Sequence, residues 1–165
     1  MSDGEIAELA AELGRRLAAR RALAATAESC TGGLVAGAIT AISGSSGWFD
    51  RGFVTYSNEA KMEMLGVDAD TLARHGAVSE ATAMAMAEGA IRASRADLAV
   101  AVTGIAGPAG GTPDKPVGTV CFAWAVRGGP TAAATHRLGG DRAAVRRASV
   151  IIALQGLIDR LGAMQ

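Results

Sequence analysis

Hydrophobic positions recur along this chain with two periods, and the alternation between them predicts a layered fold. From Glu5 to Ala19 the apolar residues Ile6, Leu9, Ala10, Leu13 and Leu17 follow a three-and-four spacing, with Glu8, Glu12, Arg15 and Arg16 between them, as in an amphipathic helix. Arg21 to Thr26 reads as a first strand, although its alanines carry little strand propensity. A turn at Ser29 leads into an apolar helix from Gly33 to about Ile42, and a Gly/Ser loop from Ser43 to Gly47 closes on Trp48 and Phe49. Arg51 to Tyr56 forms the next strand, after which Ser57 or Asn58 can cap a helix that carries Lys61 in its first turn. A short helix is expected over Val67 to His75. Ser79 opens a longer one through Ala93, whose Met84, Met86, Ala87, Ala90 and Ile91 read as core filler.

Leu98-Ala99-Val100-Ala101-Val102 is continuous and apolar, as in a central strand covered on both faces, and is placed in a strand from Asp97 to Val102. After a Gly/Pro/Lys loop through Pro116 come strands at Val117 to Val126 and Thr131 to Leu138, joined by a turn at Arg127-Gly128-Gly129-Pro130. Gly139-Gly140-Asp141 caps a last helix from Arg142 to about Leu161. This order predicts a single α/β domain over 1–165, a layered sandwich with a mixed, mostly parallel sheet flanked by helices.

Composition narrows the function classes. At 165 residues one core is expected, and with 50% hydrophobic but only 4% aromatic residues that core is built of Ala, Val, Leu and Ile. The formal net charge of zero gives no footprint for nucleic acid or an anionic membrane. No apolar run is long enough to span a bilayer. Met1-Ser2-Asp3-Gly4-Glu5 carries acids where a signal peptide carries bases, so a cytoplasmic location is expected. Cys30 and Cys121 lack metal-ligand spacing and are too few for a disulfide framework, so both are expected as thiols. An Ala/Gly-rich surface with few aromatics allows a tight homo-oligomer.

Candidate chemistry gathers at strand ends. Ala27-Glu28-Ser29-Cys30-Thr31-Gly32-Gly33 sets small hydroxyl and thiol side chains before a helix start, where the N–H groups around Thr31, Gly32 and Gly33 are expected to face the same space and serve a nucleophile, a phosphate or both. Four turns carry reactive or polar groups at strand ends, Ser29 to Gly33, Ser43 to Gly47, Tyr56 to Lys61 and Thr103 to Gly107. Because ligands of open α/β sheets lie outside the carboxyl ends of the strands, loops after three different strands can face one cleft. Neither His75 nor His136 lies in a triad motif, and both are read as structural. A lysine can replace histidine as the base if burial lowers its pKa. Of the two lysines, Lys115 falls in a loop expected to be exposed, and Lys61 sits beside a strand end. The residues thus suggest a Ser-Lys hydrolase with Ser29 as nucleophile, Lys61 as base and the Thr103-Gly104 turn as oxyanion donor.

Six motifs in order, Ala-Glu-Ser-Cys-Thr-Gly-Gly at 27–33, Gly-Ser-Ser-Gly-Trp-Phe at 44–49, Arg-Gly-Phe-Val-Thr-Tyr-Ser-Asn-Glu-Ala-Lys at 51–61, His-Gly-Ala-Val-Ser at 75–79, Thr-Gly-Ile-Ala-Gly-Pro at 103–108 and Lys-Pro-Val-Gly-Thr-Val at 115–120, resemble the CinA C-terminal-domain family. The resemblance implies hydrolysis of the carboxamide of nicotinamide mononucleotide (NMN) to nicotinate mononucleotide and ammonia in pyridine nucleotide salvage, without a metal or other cofactor. It implies Ser29 as nucleophile, Lys61 as its base and Tyr56 as a site residue grouped with them as catalytic, with Ser46, Thr103 and Gly104 as substrate-binding site residues and Arg142 as a substrate contact. Longer family members add an N-terminal domain similar to molybdopterin-binding proteins, so the resemblance implies the stand-alone form here.

Other roles remain open to the same residues. Ser29 can be a helix N-cap, Cys30 a rival nucleophile, and Glu28 either a cap or an orienter of Lys61 or a nearby hydroxyl. Ser45 and Ser46 either shape a loop or bind phosphate with the Gly44 and Gly47 amides. Arg142 suits a phosphate; of Arg146 and Arg147 at least one is expected on a solvated or subunit face. The 109–116 loop is a flap or a plain connection. A non-catalytic nucleotide-binding domain is the alternative to an enzyme.

Overall fold

The computed structural model describes residues 3–164; Met1 and Ser2 of the acidic N-terminus, and Gln165, lie outside it. Helix α1 (Asp3–Arg20) leads to β1 (Ala24–Glu28), α2 (Leu34–Thr40), a 3-10 turn (Ser45–Gly47) and β2 (Phe49–Val54). Helices α3 (Asn58–Leu65), α4 (Ala69–His75) and α5 (Glu80–Arg92) follow, then β3 (Leu98–Gly104), β4 (Thr119–Val126), β5 (Ala132–Arg137) and α6 (Arg142–Ala163). The strands form one mixed sheet in the order β2-β1-β3-β4-β5. β1 is parallel to both β2 and β3, and β4 is antiparallel to β3 and β5, so β4 alone runs against the other strands.

Local chemistry explains where the elements start and stop. Ser57 Oγ accepts from Ala60 N, Ser79 Oγ from Thr82 N and Asp141 Oδ1 from Ala144 N, capping α3, α5 and α6. The first strand begins later than the expected Arg21, because α1 runs to Arg20 and Arg21 takes a left-handed φ of 53° that turns the chain. Backbone pairing then carries β1 to Glu28 and β3 to Gly104, beyond the apolar runs that marked them. Pairing partners lie far off in sequence, and propensity does not report them.

Side-chain alternation divides the core. Leu98, Val100 and Val102 of β3, with Val120, Phe122 and Trp124 of β4, face α1, α2 and α6. Ala99, Ala101, Ala123 and Ala125 face α5. The small residues on that side let α5 sit close to the sheet, while the bulky ones fill the other layer. Trp124 lies under α6, donating from Nε1 to Ala153 O at 3.1 Å, and Gly156 supplies the room: a Cβ there would fall 2.1 Å from the indole. Gly156→Ala is expected to destabilise the fold by about 1–3 kcal/mol through overpacking, read as a lower midpoint in denaturant unfolding.

The strand order also makes the crevice. The connection from β1 to β2 runs through α2 on one face, and that from β2 to β3 through α3, α4 and α5 on the other. The chain therefore leaves the carboxyl ends of β1 and β2 toward opposite faces, which opens a cleft at those ends.

Candidate active site

A cavity of about 240 Å³ lies at the carboxyl ends of β1, β2 and β3, lined among others by Ser29, Tyr56, Lys61, Thr103, Gly104 and Arg142. Ser29 follows β1 directly, held by its N–H to Val102 O at 2.9 Å. Lys61 comes to it from α3. Its Nζ lies 3.1 Å from Ser29 Oγ, 3.3 Å from Tyr56 O and 3.5 Å from Ser57 O. The side chain is buried, at 1% exposure, and has no carboxylate partner among these contacts, so desolvation lowers its pKa from the ordinary 10.5. Nζ donates to Ser29 Oγ, Tyr56 O and Ser57 O, and the Ser29 hydroxyl donates in turn to Tyr56 O at 3.3 Å, so the two side chains share one carbonyl acceptor.

Thr103 lines the cavity with its hydroxyl donating to Ala77 O at 2.8 Å, which ties the connection between α4 and α5 to β3. Tyr56 is 62% exposed at the mouth, its phenol oxygen accepting from Arg142 Nη2 at 3.3 Å, and Arg142 Nη1 donates to Gly107 O at 2.9 Å. The guanidinium thus bridges two sides of the opening.

Four expected substrate contacts do not reach the cavity. Ser46 is exposed in the 3-10 turn before β2, at the amino end of the sheet and opposite the Ser29 turn. Thr31 is fully buried, its hydroxyl donating to Glu28 Oε1 at 2.6 Å. Gly32 and Gly33 supply positive φ values of 56° and 102° that shape the turn, and neither lines the cavity. The helix start is not free for an anion, because the Glu28 carboxylate accepts from Gly33 N at 3.2 Å, Val35 N at 2.9 Å and Ala36 N at 2.9 Å. An internal acid already occupies what the sequence offered to a phosphate.

Residues assigned elsewhere contribute. With Ser57 as the cap of α3, Asn58 faces the cavity. Arg146 Nε donates to Cys30 O at 3.1 Å, and its Nη2 lies 3.4 Å from Thr31 O. The signal for it was its four-residue spacing from Arg142, which puts both on one face of α6. Arg147 is the solvated one, with Nη2 at 3.4 Å from Asp3. Lys115 is half-buried, donating from Nζ to His75 O at 2.8 Å, and so pins the 109–116 loop to the end of α4. His136 packs edge-on to Phe122. Burial pushes the Cys30 thiol up to about 12, leaving it protonated at neutral pH. If the cavity is hydrolytic, Cys30→Ala is accordingly expected to keep its turnover within a few-fold in steady-state kinetics; loss of turnover would make Cys30 the nucleophile.

Residues 6–161 match the CinA C-terminal domain family. The chain belongs to that family. This CinA C-terminal domain is 56% identical over 157 residues to the nicotinamide-nucleotide amidohydrolase PncC of Escherichia coli strain K12, covering 95% of both chains. It is 59% identical over 150 residues to a putative competence-damage inducible protein of Symbiobacterium thermophilum, covering 86% of this chain and 35% of that one. The crystal structure of competence/damage inducible protein CihA from Agrobacterium tumefaciens superposes with a TM-score of 0.93 at 51% identity, over 96% of each chain. Among the described residues no group of His, Cys, Asp and Glu could hold a metal ion, and no helix is long and apolar enough to cross a membrane.

Proposed function

We propose that this domain is an amidohydrolase that converts nicotinamide mononucleotide and water to nicotinate mononucleotide and ammonia through an acyl-enzyme on Ser29. The observation that carries the reading is the 3.1 Å approach of a buried, charge-disfavoured Lys61 amine to the Ser29 hydroxyl. The similarity to PncC supplies the substrate.

In this mechanism neutral Lys61 takes the Ser29 proton as Oγ attacks the carboxamide carbon. The oxyanion is received by Gly104 N–H. Ile105 N donates to Thr119 O at 2.9 Å, and ladder bonds alternate along an antiparallel pair, which directs the Gly104 N–H away from β4 and toward the Ser29 turn. Protonated Lys61 then gives its proton to the leaving nitrogen and ammonia departs. Water, deprotonated by the same amine, cleaves the acyl-enzyme. Tyr56 and Arg142 stand at the mouth, where they meet the ribose phosphate; Thr103 shapes the wall beside the ring.

The reading extends to one small-molecule-acting domain in the cytoplasm, assembled as a homo-oligomer. Leu34, Val54 and Met64 are exposed large side chains of the kind a subunit interface covers, which supports the last point. Non-catalytic nucleotide binding loses support because Glu28 fills the start of α2. Ammonia release measured with NMN and with nicotinamide riboside tests the proposal. Turnover of NMN with a clear preference over the riboside is expected, and no ammonia from NMN would overturn it.

A further inference from the structure

The mechanism above leaves two buried or half-buried charges beside the nucleophile unused, and they act on the same turn from opposite sides. Glu28 is 0% exposed and takes only donors: Thr31 Oγ1, Gly33 N, Val35 N and Ala36 N. Arg146 reaches across from α6 and meets only acceptors, Cys30 O and Thr31 O. The two side chains do not pair with each other. Glu28 takes the N–H groups that the α2 start leaves without an intrahelical acceptor, and Arg146 takes the Cys30 carbonyl and adds a second donor to Thr31 O, which already accepts from Leu34 N at 2.9 Å. The segment so held, Ser29 to Gly33, begins with the hydroxyl that must stay within reach of Lys61 Nζ.

An ordinary N-cap would satisfy one or two of these donors with a serine or aspartate inside the turn. Here a longer acid from the last residue of β1 reaches forward over seven and eight residues to Val35 and Ala36, so the turn is fastened to the strand that precedes it. Glu28 also anchors that strand, its carbonyl accepting from Thr55 N at 2.8 Å at the start of the segment bearing Tyr56. Neither charge touches the cavity's reacting groups. Each acts through Ser29.

We infer that Glu28 and Arg146 are positioning residues for Ser29, an acid fixing the donors and a base fixing the acceptors of the turn that aims the nucleophile. This rests on Ser29 being the nucleophile, as proposed above. A shift of about 1 Å in a reacting group costs roughly 100-fold in rate. Glu28→Gln places an amide N–H against a backbone N–H, and Arg146→Met removes both carbonyl contacts; each is expected to lower kcat for NMN by about 100-fold while KM changes less than about 3-fold. In Glu28→Ala, added acetate can supply the missing carboxylate, and it is expected to restore kcat without changing that of the unsubstituted protein.

Two readouts keep the inference apart from the substrate assignment. Acylation of Ser29 by p-nitrophenyl acetate reports the aim of the hydroxyl whatever the natural amide is, and it is expected to slow in parallel in both variants. If the unsubstituted protein is acylated but releases no ammonia from NMN, the function falls and the positioning role is still read from the acylation rates. If Glu28→Ala does not fold, Arg146→Met decides alone. Folded variants that acylate and turn over like the unsubstituted protein, or that lose only thermal stability, overturn the inference, as does an unsubstituted protein that is not acylated at Ser29.

Discussion

Ser29→Ala is expected to lower kcat for ammonia release from NMN by on the order of 10⁴-fold or more, with substrate binding retained. Its N–H bond to Val102 O is made by the backbone and survives the substitution. Its Oγ is shared between Lys61 Nζ and Tyr56 O, which have each other at 3.3 Å when the hydroxyl is gone. Stability should therefore move by about 1 kcal/mol or less. Nothing beside it can take over the attack, because the Cys30 thiol is held protonated by burial. Steady-state kinetics with calorimetric titration of NMN separates the two quantities, and a variant with a tenth of the original rate would end the role given to Ser29.

Lys61→Met is expected to cost about 10³-fold in kcat and to change how stability and activity depend on pH. Burial lowers the folded-state pKa of the amine, so between that value and the ordinary 10.5 the unfolded chain binds a proton that the folded chain does not. Stability from this group is thus complete above 10.5 and is lost as pH falls toward the folded-state pKa. The unsubstituted protein should gain stability relative to Lys61→Met as pH rises through that window. The acid limb of kcat/KM should follow the same amine, rising with pH as the base becomes neutral. Denaturant unfolding and pH-rate profiles of the two proteins check both. Parallel stability curves would mean that Lys61 titrates as an exposed lysine does.

The elements were legible wherever a residue's neighbours along the chain decide its state. The amphipathic spacing of α1, the caps at Ser57, Ser79 and Asp141, and the apolar run of β3 all rest on local rules, and the structure follows them. Ser29 and Lys61 were legible as a pair because lysine is rare in this chain and only one of the two falls at a strand end. The fate of polar groups near the turn was not legible. A serine loop at 44–47 and a glycine-rich helix start at 32–33 both look like anion sites, and periodicity does not say that one lies at the far end of the sheet or that the other is filled from within.

Sequence alone determined the layered α/β order, the small-residue core and the two side chains proposed to do the chemistry, because periodicity, capping and residue type are properties of short stretches. Tertiary structure alone decided that Glu28 closes the α2 start, that Arg146 braces the Ser29 turn from 116 residues away, and that Lys61 sits where water is excluded. Each depends on which strands are neighbours and which helix face meets them. Long-range packing sets these contacts, and the desolvation that lowers the Lys61 pKa exists only once the chain has closed around it.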